Sequence, residues 1–114
     1  MSFCVVFITA SSPEEADKIT RALVQGKLAA CVSQVPGLKS TYWWKGKVEE
    51  SSEILLIAKT LKTSVKGLIK AVKKNHSYGV PEVVALRIKD GNKEYLRWIK
   101  ESLTPSPELK TEEP

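Results

Sequence analysis

Residues 3–9 read F-C-V-V-F-I-T, an unbroken apolar run of strand length. Such a run predicts a central strand buried on both faces. Ser12-Pro13-Glu14-Glu15 then marks a helix start. Ser12 suits the cap, Pro13 the first helical position, and Glu15 completes a capping box. Ala16, Ile19 and Leu23 share one face, and Gly26 is placed to end the helix. Residues 28–35 predict a second strand. Pro36-Gly37 interrupts it and residues 38–44 resume it, so tight a join that a bend or bulge within one long strand is expected. Residues 42–60 form two apolar-aromatic segments about a Lys45-Gly46-Lys47 turn, which is a hairpin signal, with the third strand from about Glu53 to Thr60.

Beyond the hairpin, Val65, Leu68, Ile69 and Val72 recur at helical spacing, with Lys62, Lys66, Lys70 and Lys73 on the opposite side. Pro81 closes the loop that begins at His76 and forbids helix continuation. Residues 83–88 predict a fourth strand. Asp90-Gly91-Asn92 turns the chain into a third helix over about residues 93–103, with Leu96, Ile99 and Leu103 inward. The order β-α-β-β-α-β plus a terminal helix predicts an α+β domain over residues 1–103, the ferredoxin-like split βαβ arrangement. Residues 104–114 carry three prolines and three glutamates and are expected to be a disordered tail.

Two positions in this scheme are awkward for a lone domain. Successive strand residues point to opposite faces, so Trp43 and Trp44 cannot share one core. One of them needs a second surface, either a cleft or a subunit interface. The sheet has the same problem: two helices cover one face and leave the other for a partner chain or a ligand.

Composition narrows the function. The chain has 114 residues, enough for one modest core, and carries a net charge of +5. No apolar run approaches a membrane span and no signal-peptide pattern opens the chain, so a cytoplasmic protein without membrane contact is expected. Cys4 and Cys31 are the only cysteines and lack C-x-x-C spacing, which excludes a zinc finger and a disulfide framework. From Ile54 to Pro81 there are six lysines and no acids, a field that permits a small anion. No phosphate loop, nucleophile elbow or H-E-x-x-H is present, so no enzyme is expected. The loop after the first strand lacks the glycines and arginine of a phosphate cradle. An RNA-recognition use of the fold wants aromatics on the third strand; Ile54-Leu55-Leu56-Ile57-Ala58 has none, so no nucleic-acid partner is expected.

The candidate chemistry is sparse. His76, the only histidine, is either a satisfied helix C-terminal residue or a metal ligand or polar anchor in a cleft. Cys31 is either a packed strand residue or a soft ligand for a copper-like metal. One histidine and one cysteine do not make a transition-metal site in one chain; a symmetric oligomer multiplies them. Glu53 and Lys59 share one strand face but stand about 20 Å apart, too far to pair with each other.

The segments Leu28-Ala29-Ala30-Cys31-Val32, Tyr42-Trp43-Trp44-Lys45-Gly46-Lys47, Glu53 through Ile57 with Lys59-Thr60, and His76-Ser77-Tyr78-Gly79-Val80-Pro81-Glu82 together resemble the divalent-cation-tolerance family called CutA. Tyr95-Leu96-Arg97-Trp98-Ile99 extends the likeness, which covers about residues 5–103. The resemblance implies a homotrimer with the architecture of the PII signalling proteins, and binding of a divalent metal, copper above all. It maps a polar and aromatic cluster near inter-subunit clefts onto Cys31, Trp44, Glu53, Lys59, His76 and Tyr78; Cys31 and His76, the only soft or borderline side chains in these segments, are the expected metal ligands. A non-catalytic metal-tolerance protein is the leading expectation. The alternative is a PII-like regulator binding a small anion or nucleotide with Lys59 and neighbouring lysines.

Overall fold

The computed structural model describes residues 1–104; the tail expected beyond that point lies outside the described residues. The chain runs β1 (Phe3–Ala10), α1 (Pro13–Gln25), β2 (Cys31–Trp44), β3 (Lys47–Leu61), a short 3-10 turn, α2 (Val65–Asn75), β4 (Val83–Arg87) and α3 (Lys93–Leu103). The strands form one antiparallel sheet of order β2-β3-β1-β4. This is the expected α+β, ferredoxin-like arrangement.

The core lies between one sheet face and the helix pair α1 and α2. Val6, Ile8, Leu56 and Ala58 from the sheet meet Ile19, Leu23, Leu68 and Val72 from the helices, all fully buried. On the opposite face β1 presents Val5 and Phe7, which are only half-buried. The apolar run therefore does not sit between two covered faces, because both flanking helices pack on the same side. In register with Val5 and Phe7 stand Leu86 and Val84 of β4 and Lys59 and Ile57 of β3. That second face is covered only at one end, where Ile99 and Leu103 of α3 pack with Leu61 and Phe3. The rest of it, mostly apolar but carrying Lys59, is open in a single chain.

The β2–β3 hairpin runs past the rest of the sheet. Its two central residues, Lys45 (φ 53) and Gly46 (φ 79), are both left-handed, the conformation of a type I′ turn matched to strand twist. The third strand begins at Lys47, six residues before the position expected from its apolar pattern. Residues 48–52 lack that pattern because in this arm neither face touches the core. The expected bulge is present: Val35 pairs with Leu55 but Leu38 with Glu53, so β2 carries one extra residue, and Gly37 supplies a φ of 82. Helix α1 is capped as expected by Ser12, whose hydroxyl accepts from the Glu15 N–H. At its other end the left-handed residue is Lys27 (φ 60), one place beyond Gly26. Gly26 is still required there, because a Cβ would lie 2.7 Å from the Ala22 carbonyl oxygen.

Candidate functional site

The loops at the C-terminal ends of β1 and α2 meet, and one carboxylate ties them together. The Glu15 Oε1 accepts from the Ser11 N–H and hydroxyl, both at 2.8 Å, and Oε2 accepts from the Ser77 N–H at 2.6 Å. The capping-box residue thus reaches past the cap to hold a loop 62 residues away in sequence. Burial opposes its charge, but these hydrogen bonds outweigh it and hold the carboxyl down at about 2.

His76 follows directly. Its Nε2 faces the Thr9 carbonyl at 2.6 Å, and Nδ1 accepts the Tyr78 N–H at 3.0 Å. A carbonyl can only accept and a backbone N–H only donate, so Nε2 carries the hydrogen. The side chain is fully buried, and Glu15 Oε1 lies 3.7 Å from Nδ1. Both ring nitrogens are therefore occupied within the chain, and His76 stands as the polar anchor of the loop.

That anchor aims Tyr78. Its ring lies 4.6 Å from the imidazole, centre to centre, and its hydroxyl donates to Glu53 Oε2 at 3.1 Å. Glu53 is only 8% exposed, beside the bulge where β1 has ended and β3 continues. A carboxylate buried to that degree requires such a donor. The bond is reciprocal in its effect: burial, then the hydrogen bond and charge of Glu53, push the Tyr78 phenol up to about 12.

Glu53 and Tyr78 form one wall of a pocket of about 600 Å³, with Trp44, Tyr42, Thr9 and Glu82 also facing it. Among the described residues no lysine, arginine or histidine lines it. Of the residues expected from sequence, the structure brings Trp44, Glu53 and Tyr78 together, with His76 behind them. Lys59 and Cys31 stand elsewhere. They are cross-strand partners, and Lys59 also pairs with Val5, four residues from Thr9 on β1. That separation is about 13 Å along the strand. Within one chain, Cys31 and His76 therefore do not reach a common ion. Among the described residues no three His, Cys, Asp or Glu side chains are grouped to hold a metal.

Cys31 has its own surroundings. It is a free, half-buried thiol, 4.0 Å from the Ser33 hydroxyl. Its register with Lys59 puts it on the open sheet face, beside Tyr95 of α3. Burial and then the neighbouring thiol raise the Tyr95 phenol above its ordinary value.

Sequence reasoning passed over Glu15, Thr9, Tyr42 and Glu82. Glu82 was inside a recognised segment, directly after Pro81, and its charge was the available signal. Glu15 was read only for its local role, since nothing in S-P-E-E announces a partner at Ser77.

The fold and pocket define a class: a ferredoxin-like domain with an open, mostly apolar sheet face, a projecting hairpin and an acidic, aromatic pocket at the hairpin's root. The chain belongs to the CutA1 divalent ion tolerance family, whose model matches residues 4–102. It is 51% identical over 98 residues to the divalent-cation tolerance protein CutA of Thermus thermophilus, covering 86% of this chain and 95% of that one. It is 47% identical to the chloroplastic protein CutA 1 of Oryza sativa, over 90% of this chain and 58% of that protein. The chain thus spans little more than half the length of the plant relatives it matches. The crystal structure of CutA1 from Oryza sativa superposes with a TM-score of 0.88 at 45% identity, covering 93% of this chain and 97% of that one. The Thermus thermophilus structure gives a TM-score of 0.87 at 49% identity, covering 90% and 99%. No helix among the described residues is long and apolar enough to cross a membrane.

Proposed function

We propose that the chain works as a non-catalytic homotrimer that binds a divalent, copper-like metal and acts in metal-ion tolerance. The observation that carries this reading is the open sheet face. Val5, Phe7, Ile57, Val84 and Leu86 stand on it in cross-strand register, outside both helix-packed core clusters of the described residues. Burial of such a face stabilises by about 25 cal/mol per Å² of apolar surface, and a threefold ring buries three at once. The exposed edge strands β2 and β4 gain cover in the same step.

Cys31 is on that face, so a ring brings together donors that one chain lacks. Thiolate sulfur favours copper-like metals over magnesium or calcium, which prefer oxygen cages. The donor set of one chain is too small to close a site, and metal binding then depends on assembly. Two free thiols, one of them half-exposed, suit a reducing compartment such as the cytoplasm. A small-anion or nucleotide regulator is less well supported, because the pocket carries two carboxylates and no basic side chain, and Lys59 lies away from it.

Titration with copper, zinc and magnesium, read by calorimetry, tests the proposal. Copper should bind at a fixed stoichiometry per trimer and far more tightly than magnesium, and Cys31→Ala should weaken it at least about tenfold. Equal copper affinity in the wild type and in Cys31→Ala would remove the thiol from the account.

A further inference from the structure

The pocket beneath the hairpin is not explained by metal binding. Its volume of about 600 Å³ is that of a small-molecule cleft, far larger than a dehydrated ion requires. Its chemistry is a specific mixture. Trp44, Tyr42 and Tyr78 present aromatic surface, Glu53 and Glu82 present carboxylates, and among the described residues no cationic side chain lines the pocket to neutralise them. Glu53 gives one oxygen, Oε2, to Tyr78, and among the described residues Oε1 takes no hydrogen bond. Two carboxylates fall short of the cage of six or more oxygens that a hard divalent ion takes.

A neutral apolar ligand would waste both carboxylates, and an anion would meet them as repulsion. An organic cation uses every group present. Aromatic faces attract an ammonium through the ring quadrupole when it lies within about 6 Å. The molecule itself shows that Trp44 can serve in this way, since the Lys45 ammonium sits 5.9 Å from the centre of its ring. We infer that this pocket binds a small organic ammonium ion, its charge facing Glu53 and Glu82 and its carbon groups against Trp44, Tyr42 and Tyr78.

The hydrogen-bonded loop behind the pocket gives it a fixed shape. Tyr78 is held at its N–H by His76 and at its hydroxyl by Glu53, so one aromatic wall and one carboxylate are set before a ligand arrives. Such preorganisation lowers the ordering cost of binding.

Choline and its neutral carbon isostere, in which carbon replaces the quaternary nitrogen, separate charge from shape. Each is titrated into the full chain by calorimetry, with tryptophan fluorescence alongside. Choline should bind saturably, change the fluorescence, and bind about tenfold more tightly than the isostere, a difference of about 1.4 kcal/mol. Trp44→Ala, at a half-exposed site that the core does not need, should weaken choline about tenfold, as should Glu53→Gln. Should Glu53→Gln fail to fold, Glu82→Gln at the exposed wall takes its place. Absence of saturable choline binding, equal affinity for the isostere, or an unchanged Trp44→Ala variant would each overturn the inference. The copper titration stands apart: copper binding lost in Cys31→Ala while choline binding persists shows two separate sites, and copper binding without choline binding leaves the metal reading standing alone.

Discussion

Tyr78 donates its phenolic hydrogen to the buried carboxylate of Glu53 at 3.1 Å, joining the loop after α2 to the middle of β3 across 25 residues of sequence. The pair has a measurable signature in alkali. Tyr78 is raised from 10.0 to about 12 in the folded chain, so it binds its proton more tightly folded than unfolded. The stability it contributes is complete below the unfolded value and is lost as pH rises from there through about 12. Tyr78→Phe should flatten that part of the alkaline stability profile, measured by urea unfolding at a series of pH values. An identical alkaline limb in both proteins would show that the bond does not persist in solution.

Glu15 gives the mirror image in acid. Its carboxyl falls from 4.5 to about 2 on folding, so its contribution is complete above the unfolded value and is lost as pH falls through about 2. The shift corresponds to about 3 kcal/mol at neutral pH. Glu15→Gln should lower stability at pH 7 by roughly 2 kcal/mol and flatten the acid limb. Because Glu15 holds Ser77, amide exchange at Ser77 and Tyr78 should also accelerate, which loss of helix capping alone would not produce.

The architecture was legible because each element carried a local signal. Residues 3–9 announced a strand, Ser12 to Glu15 a helix start, and Pro36-Gly37 a bulge, all of which the backbone realises. What sequence misjudged was the second face of β1. An apolar run does not say whether helices flank a sheet on both sides or whether a neighbour is to complete the cover. The arm from Lys47 was shortened for a related reason: a strand outside the core has no alternation to read. Within the site, Trp44, Glu53 and Tyr78 converge on one pocket. The bonds that set their positions, from Glu15 to Ser77 and from His76 to Thr9, span more than sixty residues and leave no periodic trace.

The fully buried Leu68 of α2 belongs to the helix-covered core, not to the open face. Leu68→Ala should therefore cost about 2–5 kcal/mol of chain stability. Leu86 is 50% exposed and should behave in the opposite way. Leu86→Asp should leave the helix-covered core intact but place a charge in the proposed subunit interface, so circular dichroism should stay native while the proposed trimer dissociates. An assembly of unchanged size in Leu86→Asp would put the interface elsewhere.

The hairpin turn supplies a further check on the arm. Gly46 sits at a φ of 79, with open space where a Cβ would be, so conformation alone decides the effect of a side chain there. Gly46→Val should destabilise by roughly 1–2 kcal/mol, whereas Gly46→Asn should be nearly neutral, because asparagine tolerates the left-handed region. Thermal melts of the two variants distinguish them, and equal melting temperatures would mean that the turn is not type I′ in solution.

The central claim is that the open sheet face is an interface among three chains. Sedimentation equilibrium across nanomolar to micromolar concentration measures this directly. The account predicts a single species of about three times the 12.6 kDa chain mass, persisting on dilution. A folded species of 12.6 kDa at micromolar concentration would contradict it.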